Sequence, residues 1–182
     1  MVKFLLDHEA DPNRADKEAV TPLFFAVVGG HNDVVQLLLK KGANPDKVCG
    51  RGSRGHTPLH NAAIMGLEEC VKILLNGGAD SNIADHCGMT PLHYAACRNH
   101  EEGVKILLEA GEIDPNAADD SGWTPLHYAA WIGLTDVVKQ LLGGGSDPAR
   151  ADNNGHTPLH YAIGEGKKDL LEILLDAGAT NY

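Results

Sequence analysis

Thr57-Pro58-Leu59-His60 recurs as Thr90-Pro91-Leu92-His93, Thr124-Pro125-Leu126-His127 and Thr157-Pro158-Leu159-His160, with a near copy at Thr21-Pro22-Leu23-Phe24. The five threonines are separated by 36, 33, 34 and 33 residues. A fixed period near 33 carrying T-P-L-H-x-A marks a stack of small helical units rather than one compact fold. Thr before Pro starts a helix: the hydroxyl caps an exposed N–H, and Pro sits where its missing N–H costs nothing. A short helix follows, such as Pro91 to Arg98, with Ala95-Ala96 where two helices pack closely. It breaks at Gly30, Gly66, Gly133 or Gly166, or at Asn99 in the third copy. A second helix then carries apolar residues at helical spacing, as in Val71, Leu74 and Leu75, or Val138, Leu141 and Leu142. It ends at a glycine suited to a left-handed cap: Gly42, Gly78, Gly111, Gly145 or Gly178. An Asp-Pro-Asn-like turn and a hairpin tip such as Asp119-Asp120-Ser121-Gly122 complete the unit.

With these motifs in register, the chain resembles the ankyrin repeat proteins over essentially all of its 182 residues. The resemblance implies an all-α ankyrin-repeat solenoid of helix-turn-helix-hairpin units in a single domain, 1–182. Full repeats fall at about 16–48, 52–84, 85–118, 119–151 and 152–182. Residues 1–15 read as the second helix and turn of a preceding copy, because Val2-Lys3-Phe4-Leu5-Leu6 parallels Val71-Lys72-Ile73-Leu74-Leu75. Asp46 lies eleven residues before Thr57, whereas Asn82 and Asn116 lie eight before Thr90 and Thr124. Three residues are therefore inserted in one finger, near 49–51.

Composition narrows the function classes. Aromatic residues make up 5% of the chain and 21 residues are Gly, as short, frequently capped helices require. No 18-residue apolar run is present, so membrane insertion is not expected. Met1 to Leu6 is followed at once by Asp7-His8-Glu9, which does not read as a signal peptide. Cys49, Cys70, Cys87 and Cys97 form no CxxC pair and are expected to be free thiols of a cytoplasmic or nuclear protein. The net charge of −10, from 15 basic and 25 acidic residues, disfavours nucleic acid as a partner.

Catalysis and metal binding find no support either. No Gly-x-Ser-x-Gly elbow, GxxxxGK[ST] loop or His-Glu-x-x-His helix occurs. The glycine-rich Cys49–Gly55 stretch lacks the lysine of a nucleotide loop, and no cofactor is implied. His86-Cys87, with His93 and Cys97, suggests zinc at first sight. A zinc site needs four converging ligands, and His60, His93, His127 and His160 occupy one slot in successive repeats, forming a row instead. The resemblance implies that they hydrogen-bond across helix starts between repeats, a contact that Phe24 removes from the first full repeat.

The resemblance also implies that fingers and first helices line a groove and that the function is non-enzymatic recognition of another protein. The groove positions are the residue before each Thr and the two residues after each Ala pair. For repeats 2 to 4 they supply Ile64, Met65, Met89, Arg98, Trp123, Trp131 and Ile132, with Tyr94 and Tyr128 flanking them. Trp, Tyr, Met and Arg are enriched at interfaces and hot spots. Trp123 can equally lean on the next finger, and Met89 and Ile64 can pack between repeats. A basic group, including Arg51 and Arg54, lies at the N-terminal fingers. Asp114, Asp119, Asp120, Asp147 and Asp152 lie toward the other end, where Asx turns account for many of them. Arg51 and Arg54 are expected to steer an acidic segment of the partner. Asn13, Asn82 and Asn116 each follow a leucine (Leu5, Leu74, Leu108) by eight residues, the spacing read by an ankyrin asparaginyl hydroxylase. The alternative function is architectural: one stretch of a longer array in a channel, scaffold or multidomain enzyme, the chain being a monomer or part of such an array. The apolar Phe4-Leu5-Leu6 and Leu170-Leu171-Glu172-Ile173-Leu174-Leu175 favour continuation of the stack.

Overall fold

The structure, a computed structural model, describes residues 1–48, 54–164 and 167–179. Among them the chain forms eleven helices and no strand. Helix α1 (Val2–Asp7) stands alone and five pairs follow: α2 (Pro22–Val28) with α3 (Asn32–Lys40), α4 (Pro58–Met65) with α5 (Glu68–Asn76), and α6 (Pro91–Cys97) with α7 (Glu101–Glu109). The last two pairs are α8 (Pro125–Ile132) with α9 (Thr135–Gly143), and α10 (Pro158–Gly164) with α11 (Lys168–Asp176). The first helices pack in chain order, α2 on α4, α6, α8 and α10, and the second helices form a parallel row from α3 to α11.

The core is the seam between these two rows. Leu59, Leu92, Leu126 and Leu159 are all buried, beside the Ala62-Ala63, Ala95-Ala96 and Ala129-Ala130 pairs. Val71, Leu74, Val104, Leu107, Val138 and Leu141 close the seam from the second helices. The alanines let helices of adjacent repeats approach, and each leucine removed from water contributes about 1.5–3 kcal/mol.

The Thr-Pro-Leu-His motif supplies more than a cap. In α4 the Thr57 N–H donates to His60 Nδ1 at 3.1 Å, with the Thr57 hydroxyl 2.8 Å from the same nitrogen. Nδ1 is therefore an acceptor, which leaves the proton on Nε2, and Nε2–H donates to the Met89 carbonyl of the next repeat at 3.0 Å. His93 repeats this toward the Trp123 carbonyl at 3.0 Å and His127 toward the His156 carbonyl at 3.1 Å. Phe24 holds this slot in α2 and can form no such bond.

A second ladder runs through the turns after the second helices. The Asn13 carboxamide donates to the Gly42 carbonyl at 2.8 Å and accepts the Asn44 N–H at 2.7 Å. Asn82 bridges in the same way to Glu112 and Asp114, and Asn116 to Gly145 and Asp147. Asp46 accepts the Asp80 N–H at 2.9 Å, but an ionised carboxylate has no hydrogen to donate. Burial pushes the Asp46 carboxyl up, and the Asp80 charge adds to that rise against the opposing Asp80 N–H bond.

The fingers also bond to one another. The His86 N–H donates to the Arg54 carbonyl, that of Asp120 to Cys87, and that of Asn153 to Ser121, at 2.7, 3.0 and 3.1 Å. This approach requires glycine at the finger tip: Gly122 has φ +82, and a Cβ there would lie 2.6 Å from the Asn153 nitrogen.

Two predictions follow from the ladders. Each clamping histidine makes both of its bonds only as neutral imidazole, and burial holds His60 at about 4 and pushes His93 and His127 below their ordinary range. The unfolded chain takes up these protons below about pH 6.5 while the folded chain resists. The clamps' contribution is thus complete above that pH and is lost progressively as pH falls toward 4. For His60, whose shift is driven by burial, the stability lost across that window is roughly 3 kcal/mol, at about 1.4 kcal/mol per pKa unit. Thermal melts should therefore fall in midpoint from pH 7 to pH 4.5. His93→Ala should lose about 1–3 kcal/mol at pH 7 through its broken bonds and show a flatter pH slope. Asp46→Asn should gain a donor toward the Gly78 carbonyl and stabilise the chain by about 0.5–1.5 kcal/mol, with Asn116→Asp moving the melt the opposite way.

Candidate functional site

The C-terminal ends of α4, α6 and α8 bring Ile64-Met65, Cys97-Arg98 and Trp131-Ile132 to equivalent places on three packed neighbours. Each end is turned out of its helix by a left-handed residue: Gly66, Asn99 or Gly133. Met65, Arg98, Trp131 and Ile132 emerge into solvent, with Met65 45%, Trp131 47% and Ile132 39% exposed. Ile64 and Cys97 are half-buried against the core. The Cys97 thiol is pushed up by burial, with the adjacent Arg98 charge opposing the shift.

An aromatic wall adjoins Trp131. Trp123 meets it edge to face at 5.7 Å and leans on Tyr161 at 4.5 Å and Tyr128 at 4.9 Å. The Trp123 indole N–H donates to Asp152 at 3.1 Å, and the Tyr161 hydroxyl donates to the same oxygen at 2.5 Å. The other Asp152 oxygen accepts the N–H groups of Asn154 and His156. Burial alone would raise this carboxyl, but the Tyr161 and backbone donors hold it at about 2. Asp119 serves Tyr128 and the Ser121 and Trp123 N–H groups in the same way, and Asp85 serves Tyr94 and the Cys87 and Met89 N–H groups. These carboxylates are spent inside the protein and offer no free charge to a partner.

The residues expected to line the groove divide accordingly. Trp131, Ile132, Arg98 and Met65 are exposed. Trp123 and Tyr128 are half-buried and braced by aspartates, so Trp123 is both wall and strut to the next finger. Met89 and Ile64 pack on the core, and their carbonyls accept from His60 and His100. Tyr94 does not fit the expectation of a groove contact: it is 7% exposed, with its hydroxyl on Asp85 and His56 Nε2 at 3.1 Å. His56, in the slot before Thr57, meets the Tyr94 ring edge to face at 5.2 Å, and Arg54 reaches its hydroxyl. Arg54 is exposed beside the Tyr94 hydroxyl, and Arg51 lies outside the described residues. Asn13, Asn82 and Asn116, put forward for hydroxylation, have both ends of their carboxamides engaged between turns, a structural reason for Asn at each place.

Two supports were not evident in the sequence. Lys167, just before α11, donates from Nζ to the Trp131 and Ile132 carbonyls. His100, just before α7, meets the Ile64 carbonyl at 3.2 Å. His31, Leu67 and Leu134 occupy the matching places before α3, α5 and α9, so no single residue type announces the role. The Asp–Tyr supports did carry a signal, a nine-residue spacing at Asp85–Tyr94, Asp119–Tyr128 and Asp152–Tyr161.

Acidic residues cluster instead on the second helices, in whose first turns lie Asp33, Glu68, Glu69, Glu101, Glu102, Asp136 and Asp169. There they complement the helix dipole. Glu102 and Asp136 also face Lys105 and Lys139 at 3.9 and 3.4 Å. A shallow depression of about 450 Å³ between α3 and α5 is lined by Leu39, Lys40, Glu69, Lys72 and Ile73. Among the described residues no group of three His, Cys, Asp or Glu converges to hold a metal, and no helix is long and apolar enough to cross a membrane.

Comparison with known proteins agrees with this geometry. A family model described as ankyrin repeats (3 copies) matches residues 1–49, 46–119, 69–152 and 112–182. A palmitoyltransferase of Drosophila melanogaster is 37% identical over 84 residues, 46% of this chain and 13% of the relative. Transient receptor potential cation channel subfamily A member 1 of Homo sapiens is 35% identical over 81 residues, 44% of this chain and 7% of the channel. Ankyrin repeat and SAM domain-containing protein 6 of Mus musculus is 42% identical over 83 residues, 44% of this chain and 9% of that protein. The matched stretch is thus a small part of each relative. With the motif, the paired helices and the matches all in agreement, the chain belongs to the ankyrin repeat family.

Proposed function

We propose that the chain is a non-enzymatic protein-recognition module whose partner lies across the exposed ends of α4, α6 and α8. The observation that carries this reading is Trp131: a large side chain, half in water, held by Trp123 and by Lys167 on its own carbonyl. A rigid exposed indole beside Ile132, Met65 and Arg98 has the composition of a binding hot spot, and ordering it on binding costs little entropy. Arg54, at the edge of the same surface, steers an acidic segment of the partner. The free thiols of Cys70, Cys87 and Cys97 support placing the protein in the cytosol or nucleus.

A second reading, one stretch of a longer array, is favoured by the last repeat. His160 Nδ1 accepts the Thr157 N–H at 3.0 Å, as in the other clamps, but its Nε2 has no acceptor among the described residues. Ile163 and Leu175 on the same repeat are exposed. These groups suit a further repeat, and the relatives that carry similar stretches include a channel and a palmitoyltransferase.

Affinity capture with the chain as bait, followed by calorimetry on the captured protein, tests the first reading. A tryptophan covered by a partner buries about 150–250 Å², so Trp131→Ala should weaken binding by at least ~2 kcal/mol, about thirtyfold in Kd. Lys72→Ala and Lys139→Ala, on the opposite row, should leave it unchanged. Loss of the partner with those variants and retention with Trp131→Ala would move the site to the second helices.

A further inference from the structure

Met65, Arg98 and Ile132 follow the Ala-Ala pairs of three successive first helices by the same two positions, and all three are exposed. They form a row of apolar, cationic and apolar side chains crossing the helices. Packed helix axes lie about 8–10 Å apart, so the row has that spacing. Arg98 has no carboxylate partner among the described residues, unlike Lys41, Lys105 and Lys139. No described position of the row, from Gly29 to Ile132, carries an acid. The row runs beside the aromatic wall of Trp131, Trp123 and Tyr128.

A segment lying along this row must present matching side chains on one face every 8–10 Å. A β-strand does not, because residues three apart point to opposite faces. Polyproline II has three residues per turn and a rise of about 3.1 Å, returning a side chain to the same face every ~9.3 Å. Its restricted backbone also suits aromatic-lined grooves. We infer that the partner of this groove is an extended, proline-containing segment with a carboxylate centred on Arg98 and bulky apolar residues three positions to either side, seated on Met65 and Ile132. This rests on the groove reading proposed above and adds to it the charge, conformation and period of the ligand. The motif is symmetric, so either chain direction satisfies it.

Fluorescein-labelled nine-residue peptides with blocked ends test this by anisotropy at low and high salt. One carries leucine, glutamate and leucine at its second, fifth and eighth positions with proline and alanine between them. Register isomers move the glutamate by one residue, a swapped peptide carries lysine at the centre, and a longer helical peptide spaces the same side chains seven apart. The three-residue-period peptide is expected to bind at least about tenfold more tightly than its register isomers, with the gap narrowing as salt rises. Arg98→Glu should weaken it by about tenfold or more, and the lysine peptide should recover binding to that variant, which also shows that the variant is folded. Equal binding of the register isomers, an Arg98→Glu chain that binds normally, or tighter binding of the helical peptide would each overturn the inference. If the peptides fail while a captured protein is still lost with Trp131→Ala, the motif falls and the groove stands. Peptide binding that survives Trp131→Ala undiminished would count against the groove itself.

Discussion

The stack depends on an imidazole that bonds in two directions at once. With Nδ1 turned to the N–H of its own helix cap and Nε2–H turned to a carbonyl of the next repeat, His60, His93 and His127 each tie the start of one helix to the finger of its neighbour. The ring is buried, so each of these bonds is expensive to leave unmade. Only the neutral tautomer carries both, and desolvation keeps the ring neutral against the pull of the carbonyl bond toward the charged form. The leucine core supplies most of the burial, but hydrophobic contact has no direction. The clamp fixes how far one repeat is rotated on the next, and hence where the residues at the helix ends stand.

Rigidity at the fingers has the same origin. An aspartate at the start of each described finger from the third repeat onward accepts two backbone N–H groups with one oxygen and a tyrosine hydroxyl with the other. The tyrosine belongs to the following helix of the same repeat, so finger and helix move together. Where Trp123 adds its indole N–H to Asp152, two consecutive repeats share one carboxylate. Trp131 rests against that assembly and is therefore held in place without being buried.

Much of this was legible in the sequence because the repeat makes each position its own control. The Thr-Pro start, the paired alanines, the glycine breaks and the histidine row are visible as residues recurring at one slot, and the fold follows from them. Asymmetric features were harder. Tyr94 and Tyr128 look identical in sequence, yet the Tyr94 hydroxyl is also met by His56 and Arg54 of the preceding finger, and its side chain is buried. Trp123 reads as a groove residue until the next finger is placed beside it. Lys167 and His100 do their work at a slot that holds His31, Leu67 and Leu134 in the other repeats, so no uniform residue type draws attention to it. What a repeat hides is the exception at a single place, and the exposed ends of α6 and α8 are such places.

Phe24 and Asp46 belong to the same seam, between the first full repeat and the second. There the imidazole bridge is replaced by a phenyl ring, and the asparagine bridge keeps only its accepting half. In a linear array each unit is held only by its neighbours, so cooperativity is set junction by junction. Two weakened bridges at one junction divide the chain into a short N-terminal block and a longer one that opens and closes as a unit. Amide protons of α2 and α3 are then expected to exchange through local detachment at this seam, and those of α6 to α9 through global unfolding. The surface at the ends of α4, α6 and α8 lies wholly within the longer block, so fraying at the N-terminal side leaves it assembled.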